Sequence, residues 1–320
     1  MKAIVVEAHG GPEVLTVREV TLPEPRADEV LVEVRAIGVN PVETYQRAGA
    51  QGYEGNLPFT PGADGAGIVL AVGSGVTKVG VSDRVYLAGS VSGTYAEQCI
   101  CKDSQVFPLP EGLSFDQGAA LWIAYATAFR ALFQRGGARQ GERVLIHGGT
   151  GGVGIAAVQW TRRAGLELVA TYGSEVGGKL LEAQGVSERV EHGTAEGADA
   201  LRRMSEPRGF DVIVEMLANV NLQLDLELLA PRGRVIVVGS RGTIEVAPRS
   251  LMRRESDVRG VMLYGATAEE LREIHTAIAL AGKEGTIAPI IHKSFSLENA
   301  AEAHRAVIEE RSAGKIILNP

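Results

Sequence analysis

Residues 149–154, with the sequence Gly-Thr-Gly-Gly-Val-Gly, are the part of this chain best suited to bind a ligand. They follow an apolar run over 143–147 and precede a run typical of a helix over 155–160. Between a strand and a helix, such glycines permit a tight turn, a close approach of backbone to pyrophosphate, and close packing of helix on strand. The N–H groups that begin the helix would then bind the phosphates. Without these flanks the glycines would indicate only a loop; with them they predict dinucleotide binding.

The tip of the next strand predicts which dinucleotide binds. An NAD-binding unit usually has an acid about 20 residues beyond the glycines, where it holds the ribose 2′-hydroxyl. Here the strand over 167–171 ends in Tyr172-Gly173-Ser174, and Glu175 follows slightly too late, which keeps NAD possible. A small neutral tip leaves room for a 2′-phosphate, so we expect NADP(H). The side chains that could contact this phosphate are Ser174, Lys179 and His192.

Composition and charge exclude several classes of protein. The chain has 320 residues, of which 45% are hydrophobic and 22% charged, enough for two ordinary globular domains. A net charge of −7 argues against non-specific nucleic-acid binding as the main role. The charges within residues 1–7 indicate a strand rather than a signal peptide. No uncharged apolar run approaches the ~20 residues of a membrane span, so we expect a cytoplasmic protein.

The cysteines and histidines give no pattern typical of a metal site. Cys99 and Cys101 are expected to point to opposite faces of an extended segment, which disfavours a bridge between them. A Cys-x-Cys pair alone lacks the further ligands that zinc requires, so we expect free thiols and no metal. The histidines other than His192 lack ligand-like spacing, and His147, at the tip of the first strand of the dinucleotide unit, is interpreted as structural.

The order of the predicted elements indicates two domains. Short Val- and Ile-rich strands between Gly and Pro fill the first third of the chain. Strands and helices alternate from residue 143, which is typical of a parallel sheet with helices on both faces. The Ala- and Leu-rich run over 119–135 predicts a helix, and residues 261–264 predict a strand. We predict an α/β fold with a mostly β domain, formed by 1–123 and 266–320, and a doubly wound parallel-sheet domain formed by 124–265.

Five segments carry a resemblance to a known family; they are 38–45, 60–67, 147–154, 215–222 and 233–245. They resemble the zinc-free, ζ-crystallin-like quinone oxidoreductases of the medium-chain dehydrogenase/reductase superfamily, and the likeness spans the whole chain. The resemblance implies a GroES-like catalytic domain, a Rossmann domain and NADPH:quinone reductase activity. It also implies a homodimer or homotetramer, with the strand over 261–264 as a candidate dimer contact.

The resemblance implies three groups of cofactor contacts. Those to the pyrophosphate are Thr150, Gly151, Gly152 and Val153. Those to the 2′-phosphate are Gly173, Lys179 and His192. Those along the ribose and nicotinamide are Tyr45, Asn219, Val238, Gly239, Ser240, Arg241, Val261 and Leu263. Bacterial relatives tend to have a lysine at the position of Gly177, so the phosphate contact here is expected to differ from theirs.

The resemblance also predicts a reaction without zinc. Zinc-dependent members have a cysteine, a histidine and a glutamate at the positions of Asn40, Ala63 and Asp64. Because Asn and Ala cannot replace thiolate and imidazole, no Lewis acid would polarise an alcohol. Hydride delivery to an electron-poor acceptor remains possible. We expect Asp64 to accept a structural amide in a glycine-rich turn rather than to catalyse.

Asn40 and Tyr45 are the candidate catalytic residues, because both fall where the family has its active site. Their amide and hydroxyl could donate to the substrate oxygen that gains charge as hydride arrives, and the tyrosine could supply a proton. Alternatively, Asn40 orders the turn before Pro41, and Tyr45 only lines the cofactor cleft. The sequence leaves both possibilities open.

We therefore expect NADPH-dependent reduction of quinones, in one-electron steps by resemblance. A close alternative is two-electron reduction of an enone, that is, an α,β-unsaturated carbonyl. From a different class comes a non-enzymatic protein that binds nucleotides or RNA, to which the acidic charge gives no support. The Gly-rich segment over 49–59, expected to face the substrate, is too permissive to name the electron acceptor.

Overall fold

The structure, a computed structural model, describes residues 1–50, 52–53, 55–310 and 313–320. Two positions of the segment over 49–59 that was expected to face the substrate therefore lie outside the described residues. The chain forms two compact units, Met1–Ile123 with Ile278–Pro320, and Ala124–Ala277. The predicted fold class is confirmed. The predicted domain limits stay a prediction, and their second boundary, after residue 265, lies before the one between the compact units.

Strands and helices are numbered here in chain order. The strands are β1 (Lys2–Val5), β2 (Thr16–Glu19), β3 (Glu29–Val39), β4 (Asp64–Val72), β5 (Arg84–Ala88), β6 (Gln98–Lys102), β7 (Val106–Pro108), β8 (Arg143–Ile146), β9 (Glu167–Tyr172), β10 (Glu188–Glu191), β11 (Phe210–Glu215), β12 (Leu229–Val237), β13 (Asp257–Gly260), β14 (Ile291–Ser296) and β15 (Lys315–Asn319). The helices are α1 (Pro41–Ala48), α2 (Phe115–Gly118), α3 (Thr127–Phe129), α4 (Gly152–Arg163), α5 (Glu175–Ala183), α6 (Ala195–Ser205), α7 (Ala218–Leu228), α8 (Pro248–Arg254), α9 (Ala268–Lys283) and α10 (Ala300–Glu309).

The unit Ala124–Ala277 is built on a six-stranded parallel sheet with the order β10-β9-β8-β11-β12-β13. Its central strands are almost continuously apolar, because helices cover both faces of a parallel sheet. Leu145 on β8 and Ile213 on β11 are fully buried in the core of this unit. Strand order reverses between β8 and β11, and ligands of such sheets bind at the carboxyl ends of the strands beside this reversal.

The other unit contains a mixed sheet with the order β14-β15-β3-β4-β5-β7, in which β6 also pairs with β3. All its pairings are antiparallel except that of β14 with β15. The long strand β3 leads directly into Asn40 and α1, while β4 begins at Asp64 and β15 begins at Lys315. The sheet thus brings together three polar residues that are far apart in the sequence.

Two of the predicted elements differ in the structure. Residues 119–135 do not form one regular helix, because π-helical turns over Trp122–Ala126 and Arg130–Arg135 flank α3. The predicted strand over 261–264 is wrong: β13 ends at Gly260, opposite the end of β12, and Leu263–Gly265 is a single 3₁₀ turn. The paired strand is polar and exposed, so the apolar run directly after it gave the stronger signal. Elements that the sequence did not predict include α1, α6, α8, β7, β10, β13 and β14.

The expectation about the cysteines needs a correction. Residues two apart in a strand point to the same face, and Cys99 and Cys101 do so on β6, with their Sγ atoms 3.7 Å apart. Both thiols are buried and free. A cytoplasmic location stays a prediction. Among the described residues, no helix has the length and apolar character that crossing a membrane requires.

Candidate functional site

The glycine turn joins β8 to α4, and two of its glycines are required by close packing. A Cβ atom on Gly154 would lie 2.1 Å from the carbonyl oxygen of Gly148, and one on Gly149 would lie 3.0 Å from the Ala170 side chain. At Gly151 the nearest atom would be 3.7 Å away, so this side of the turn is open. Among the described residues, no side chain caps α4, whose first N–H groups therefore suit a phosphate.

The start of α5 packs against this turn. The Ser174 hydroxyl accepts a hydrogen bond from the N–H of Gly177 at 3.2 Å and so caps the helix. A Cβ atom on Gly177 would lie 2.8 Å from Cγ2 of Thr150. At the position where bacterial relatives tend to have a lysine, this chain thus has a glycine that lets α5 pack closely on the turn.

The predicted phosphate-binding residues at the tip of β9 are partly brought together. A Cβ atom on Gly173 would lie 2.6 Å from Nε2 of His192, so only glycine lets the imidazole approach the tip this closely. Lys179 lies on α5, where its Nζ atom is 2.6 Å from Oε1 of Glu175, and both side chains are exposed. An exposed pair of this kind contributes little to stability, which leaves the ammonium able to exchange partners.

Asn219 connects two further segments that were predicted to contact the cofactor. Its Oδ1 atom accepts the backbone N–H of Arg241 at 2.7 Å and the hydroxyl of Ser240 at 3.4 Å. The turn over 238–241 is therefore held against the start of α7. Val261 donates its N–H to the last residue of β12 at 3.0 Å, and Leu263 is buried in the 3₁₀ turn after β13.

His147 lies in a buried polar cluster that the sequence did not reveal. Its Nε2 atom is 2.8 Å from Oδ1 of Asp225 and 3.6 Å from Oε2 of Glu215. The Asn221 amide donates to both carboxyl oxygens of Glu215 at 3.2 Å, and the Leu217 N–H donates to one of them. Burial raises the pKa of Glu215 to about 7, although the charge of His147 opposes this. Burial also lowers the pKa of His147, but the two carboxyl groups outweigh it and raise the net value.

This cluster is also a group of residues that could hold a metal ion, on the described part of the chain. However, His147 and Asp225 are bonded directly, and the donors of Asn221 and Leu217 already face Glu215. A proton shared between Nε2 of His147 and Oδ1 of Asp225 fits the observed bonds without displacing any of them. We therefore interpret the group as a proton-sharing cluster, and the absence of a metal site stays a prediction.

In the other unit, Asn40, Asp64 and Lys315 form a second buried network. The Lys315 ammonium donates to Oδ2 of Asp64 at 2.8 Å and also to the side-chain oxygen Oδ1 of Asn40. Asp64 Oδ1 accepts the backbone N–H of Ile123 at 2.9 Å, so the expected amide contact is present, although Asp64 lies at the start of a strand rather than in a turn. The ammonium compensates a carboxylate that is fully buried, as such a charge requires.

Glu43 extends this network towards the side chains of Tyr95 and His304. Glu43 accepts the Asn40 amide at 3.2 Å, the Asn40 backbone N–H at 2.8 Å and the Tyr95 hydroxyl at 2.8 Å. Nε2 of His304 lies 3.1 Å from the same hydroxyl. Burial raises the pKa of Glu43 to about 7 against the opposing effect of the Asn40 N–H and the Lys315 charge. Because the Asn40 amide nitrogen faces Glu43 and Asp64, the geometry favours a positioning role for Asn40.

Tyr45 is carried by α1, which this network anchors. The helix begins after Asn40, whose backbone N–H donates to the Glu43 carboxylate at 2.8 Å, and ends at Gly49 with a φ of 64°. Tyr45 is half-buried, and its ring centroid lies 5.5 Å from that of Tyr53. The anchored helix thus holds a phenol in a defined position.

The residues at the positions of a catalytic zinc site do not fit zinc. Ala63 has no donor atom, and Asn40 and Asp64 both bond to the Lys315 ammonium. A cation is thus already supplied by the chain itself.

Known proteins resemble both units. Residues 26–111 match the alcohol dehydrogenase GroES-like domain family, and residues 152–280 match the family described as zinc-binding dehydrogenase. Quinone oxidoreductases of Rattus norvegicus and Homo sapiens are 46% and 45% identical to the chain, over 99% of it and 97% of each relative. The chain belongs to the quinone oxidoreductase family. This confirms the resemblance drawn from the sequence and makes the protein an oxidoreductase of the medium-chain dehydrogenase/reductase superfamily.

Solved structures agree with this family. Escherichia coli quinone oxidoreductase complexed with NADPH has a TM-score of 0.89 and 29% identity, with 100% of both chains covered. A Pseudomonas syringae quinone oxidoreductase has a TM-score of 0.90 and 29% identity, covering 100% of this chain and 99% of that one. The GroES-like unit and the parallel-sheet unit are therefore those of the quinone oxidoreductase family.

Glu43→Gln is expected to change how stability depends on pH. The fold raises the pKa of Glu43 from 4.5 to about 7, so between these values the folded state binds more protons than the unfolded state. The contribution of Glu43 to stability therefore falls as the pH rises through this interval. The Gln side chain does not titrate, so this loss is absent from the variant. As the pH rises from 4.5 to 7.5, the free energy of unfolding of the variant minus that of the wild type should therefore increase by up to about 3 kcal/mol. Urea unfolding at pH 4.5 and pH 7.5 measures this, and parallel changes in both proteins would contradict the raised pKa.

Proposed function

We propose that this protein is an NADPH-dependent quinone reductase that works without a metal. The observation that carries the proposal is the open glycine turn beside the strand reversal, in a chain 46% identical to a quinone oxidoreductase over 99% of its length. The NADPH held by a solved relative with a TM-score of 0.89 supports the choice of cofactor. The tip of β9, which has no acid at its end, supports it independently.

The pyrophosphate, the 2′-phosphate and the ribose of NADPH each have candidate binding residues in this chain. In this proposal, the N–H groups that begin α4 bind the pyrophosphate, because they have no intrahelical acceptor. Gly173, Ser174, Lys179 and His192 surround the 2′-phosphate, and Asn219 orders the turn beside the ribose. NADPH supplies the hydride when it is bound. The chain supplies orientation and charge.

On the substrate side, we propose that Tyr45 donates its hydroxyl to the oxygen that gains charge on reduction. Asn40 and Glu43 fix the start of α1, and so the position of that phenol. The Lys315 ammonium donates to Oδ1 of the Asn40 side chain and compensates the negative charge of Asp64. In this arrangement Tyr45 acts directly, while Asn40 acts by positioning.

Absorbance loss of NADPH with a panel of quinones and enones tests the proposed function. Turnover with 9,10-phenanthrenequinone and related quinones supports it. Activity on enones alone would support double-bond reduction instead. Activity on neither class, together with salt-sensitive retention of RNA, would contradict the proposed enzyme and support a nucleic-acid-binding protein. The number of acceptor molecules consumed per NADPH distinguishes one-electron from two-electron transfer.

Lys179→Gln is expected to raise the KM for NADPH about five- to ten-fold, because a charge-assisted bond to the 2′-phosphate is lost. The matched control is NADH, which lacks this phosphate, so its KM should change less than two-fold. Steady-state kinetics with both cofactors measure the two values. Equal effects on NADPH and NADH, or a clear NADH preference of the wild type, would contradict the assignment.

Tyr45→Phe is expected to lower kcat for quinone reduction by at least ten-fold, since a donor to developing charge is typically worth that much or more. The Kd for NADPH, measured by fluorescence titration, should stay within two-fold. Retention of the Tyr53 contact can be checked by an unchanged melting temperature. Unchanged turnover in the variant would dismiss the hydroxyl as a donor.

We also propose that two copies associate through the β13 edge of the parallel sheet. β13 ends the strand order, and exposed apolar side chains lie on or near it: Val258, Met262 and Tyr264. Light scattering should show a dimer or tetramer for the wild type. The double variant Val258→Lys with Met262→Lys should convert a tetramer to a dimer, or a dimer to a monomer. Val81→Lys, in the other unit and at least as exposed as either position, is the matched control and should leave it unchanged.

A further inference from the structure

The His147 cluster lies where the strand order of the parallel sheet reverses. His147 directly follows β8, and Glu215 is the last residue of β11, so both lie at the carboxyl ends of the two strands beside the reversal. Asp225 reaches them from α7. The three residues are at most 3% exposed, so the cluster lies beneath the ligand-binding edge rather than on it.

Each member of the cluster is tied to a segment assigned to the cofactor. His147 is continuous with the glycine turn, whose Gly148 N–H donates to Thr171 Oγ1 at 2.9 Å. The Glu215 carboxyl accepts from the Leu217 N–H and the Asn221 amide, at the start of α7. The backbone oxygen of Glu215 accepts the N–H of residue 238 at 2.8 Å, at the start of the turn over 238–241. One cluster thus connects the three segments that would surround the cofactor.

The buried side chains of the cluster depend on one another for hydrogen bonds. Nδ1 of His147 and Oδ2 of Asp225 are already buried without a partner on the described part of the chain. Loss of the His147–Asp225 bond would leave further buried polar atoms unpaired and would detach the start of the glycine turn from α7.

We propose that His147, Glu215 and Asp225 are positioning residues for NADP(H), which hold the glycine turn, the start of α7 and the 238–241 turn in one arrangement. The proposal rests on the proposed cofactor site, because the three segments matter only if NADP(H) binds there. The residues themselves touch neither cofactor nor substrate. Their effect should therefore appear in cofactor affinity rather than in specificity for the acceptor.

Asp225→Leu and Asp225→Asn separate positioning from bulk stability. Leucine removes the acceptor of His147, so the Kd for NADPH, measured by fluorescence titration without any acceptor, should rise at least ten-fold. Asparagine keeps an acceptor oxygen and should remain within three-fold of the wild type. Asn221→Leu, at a half-buried position that is easier to tolerate, cuts the bond to Glu215 and should weaken binding at least three-fold.

Arg234→Leu is the matched control at the opposite edge of the same sheet. Arg234 is 8% exposed and bonds to Glu142 at 2.7 Å, near the amino ends of the strands, so its loss should lower the melting temperature without changing the Kd. The inference is overturned if Asp225→Leu and Asn221→Leu bind NADPH like the wild type, or if Arg234→Leu weakens binding as much. If Asp225→Leu does not fold, the Kd of Asn221→Leu for NADPH decides whether the inference holds. Failure of the wild type to bind NADPH would overturn the proposed function instead.

Discussion

The reversal of strand order between β8 and β11 is the constraint on which the parallel-sheet unit depends. At this point the chain connections leave in opposite directions, which in such sheets is where ligands bind. Backbone groups at such an edge need other partners. Here several backbone N–H groups donate to side chains, namely those of Thr171, Asn219 and Glu215. The features that suit a phosphate and those that stabilise the edge are therefore largely the same.

The mostly β unit meets a different constraint, the burial of charge. Asp64 is fully buried and Glu43 nearly so, and one ammonium, that of Lys315, serves both. One positive charge cannot fully compensate two negative ones, which agrees with the raised pKa of Glu43. The result is a rigid polar core directly behind α1. Tyr45, the proposed donor, is half-buried on the helix that this core anchors.

Local patterns allowed much of this arrangement to be predicted from the sequence. The glycine turn, its strand and its helix lie within a few residues of one another, so each residue's effect on the backbone could be evaluated directly. The family resemblance then extended these local inferences to the whole chain.

The parts that the sequence did not predict depend on long-range contacts. Lys315 reaches Asn40 across 275 positions, and Asp225 reaches His147 across 78. No spacing rule covers such distances, so His147 was interpreted without its partners. β13 escaped detection because an exposed edge strand needs no apolar pattern. The cysteines were placed wrongly for a simpler reason: strand side chains alternate at every residue, so positions two apart share a face.

The pairing of β3 with β15 also has a consequence for the synthesis of the chain. The strands β8 to β13 follow one another without interruption, so the parallel-sheet unit can fold as soon as its last strand has left the ribosome. The mostly β unit is completed later, because residues 37–39 of β3 lack their partner strand β15 and Asp64 lacks its ammonium until residue 315 emerges. During this interval an open strand edge and an uncompensated carboxylate are exposed together. The nascent chain is thus most vulnerable to misassembly in the half that was made first.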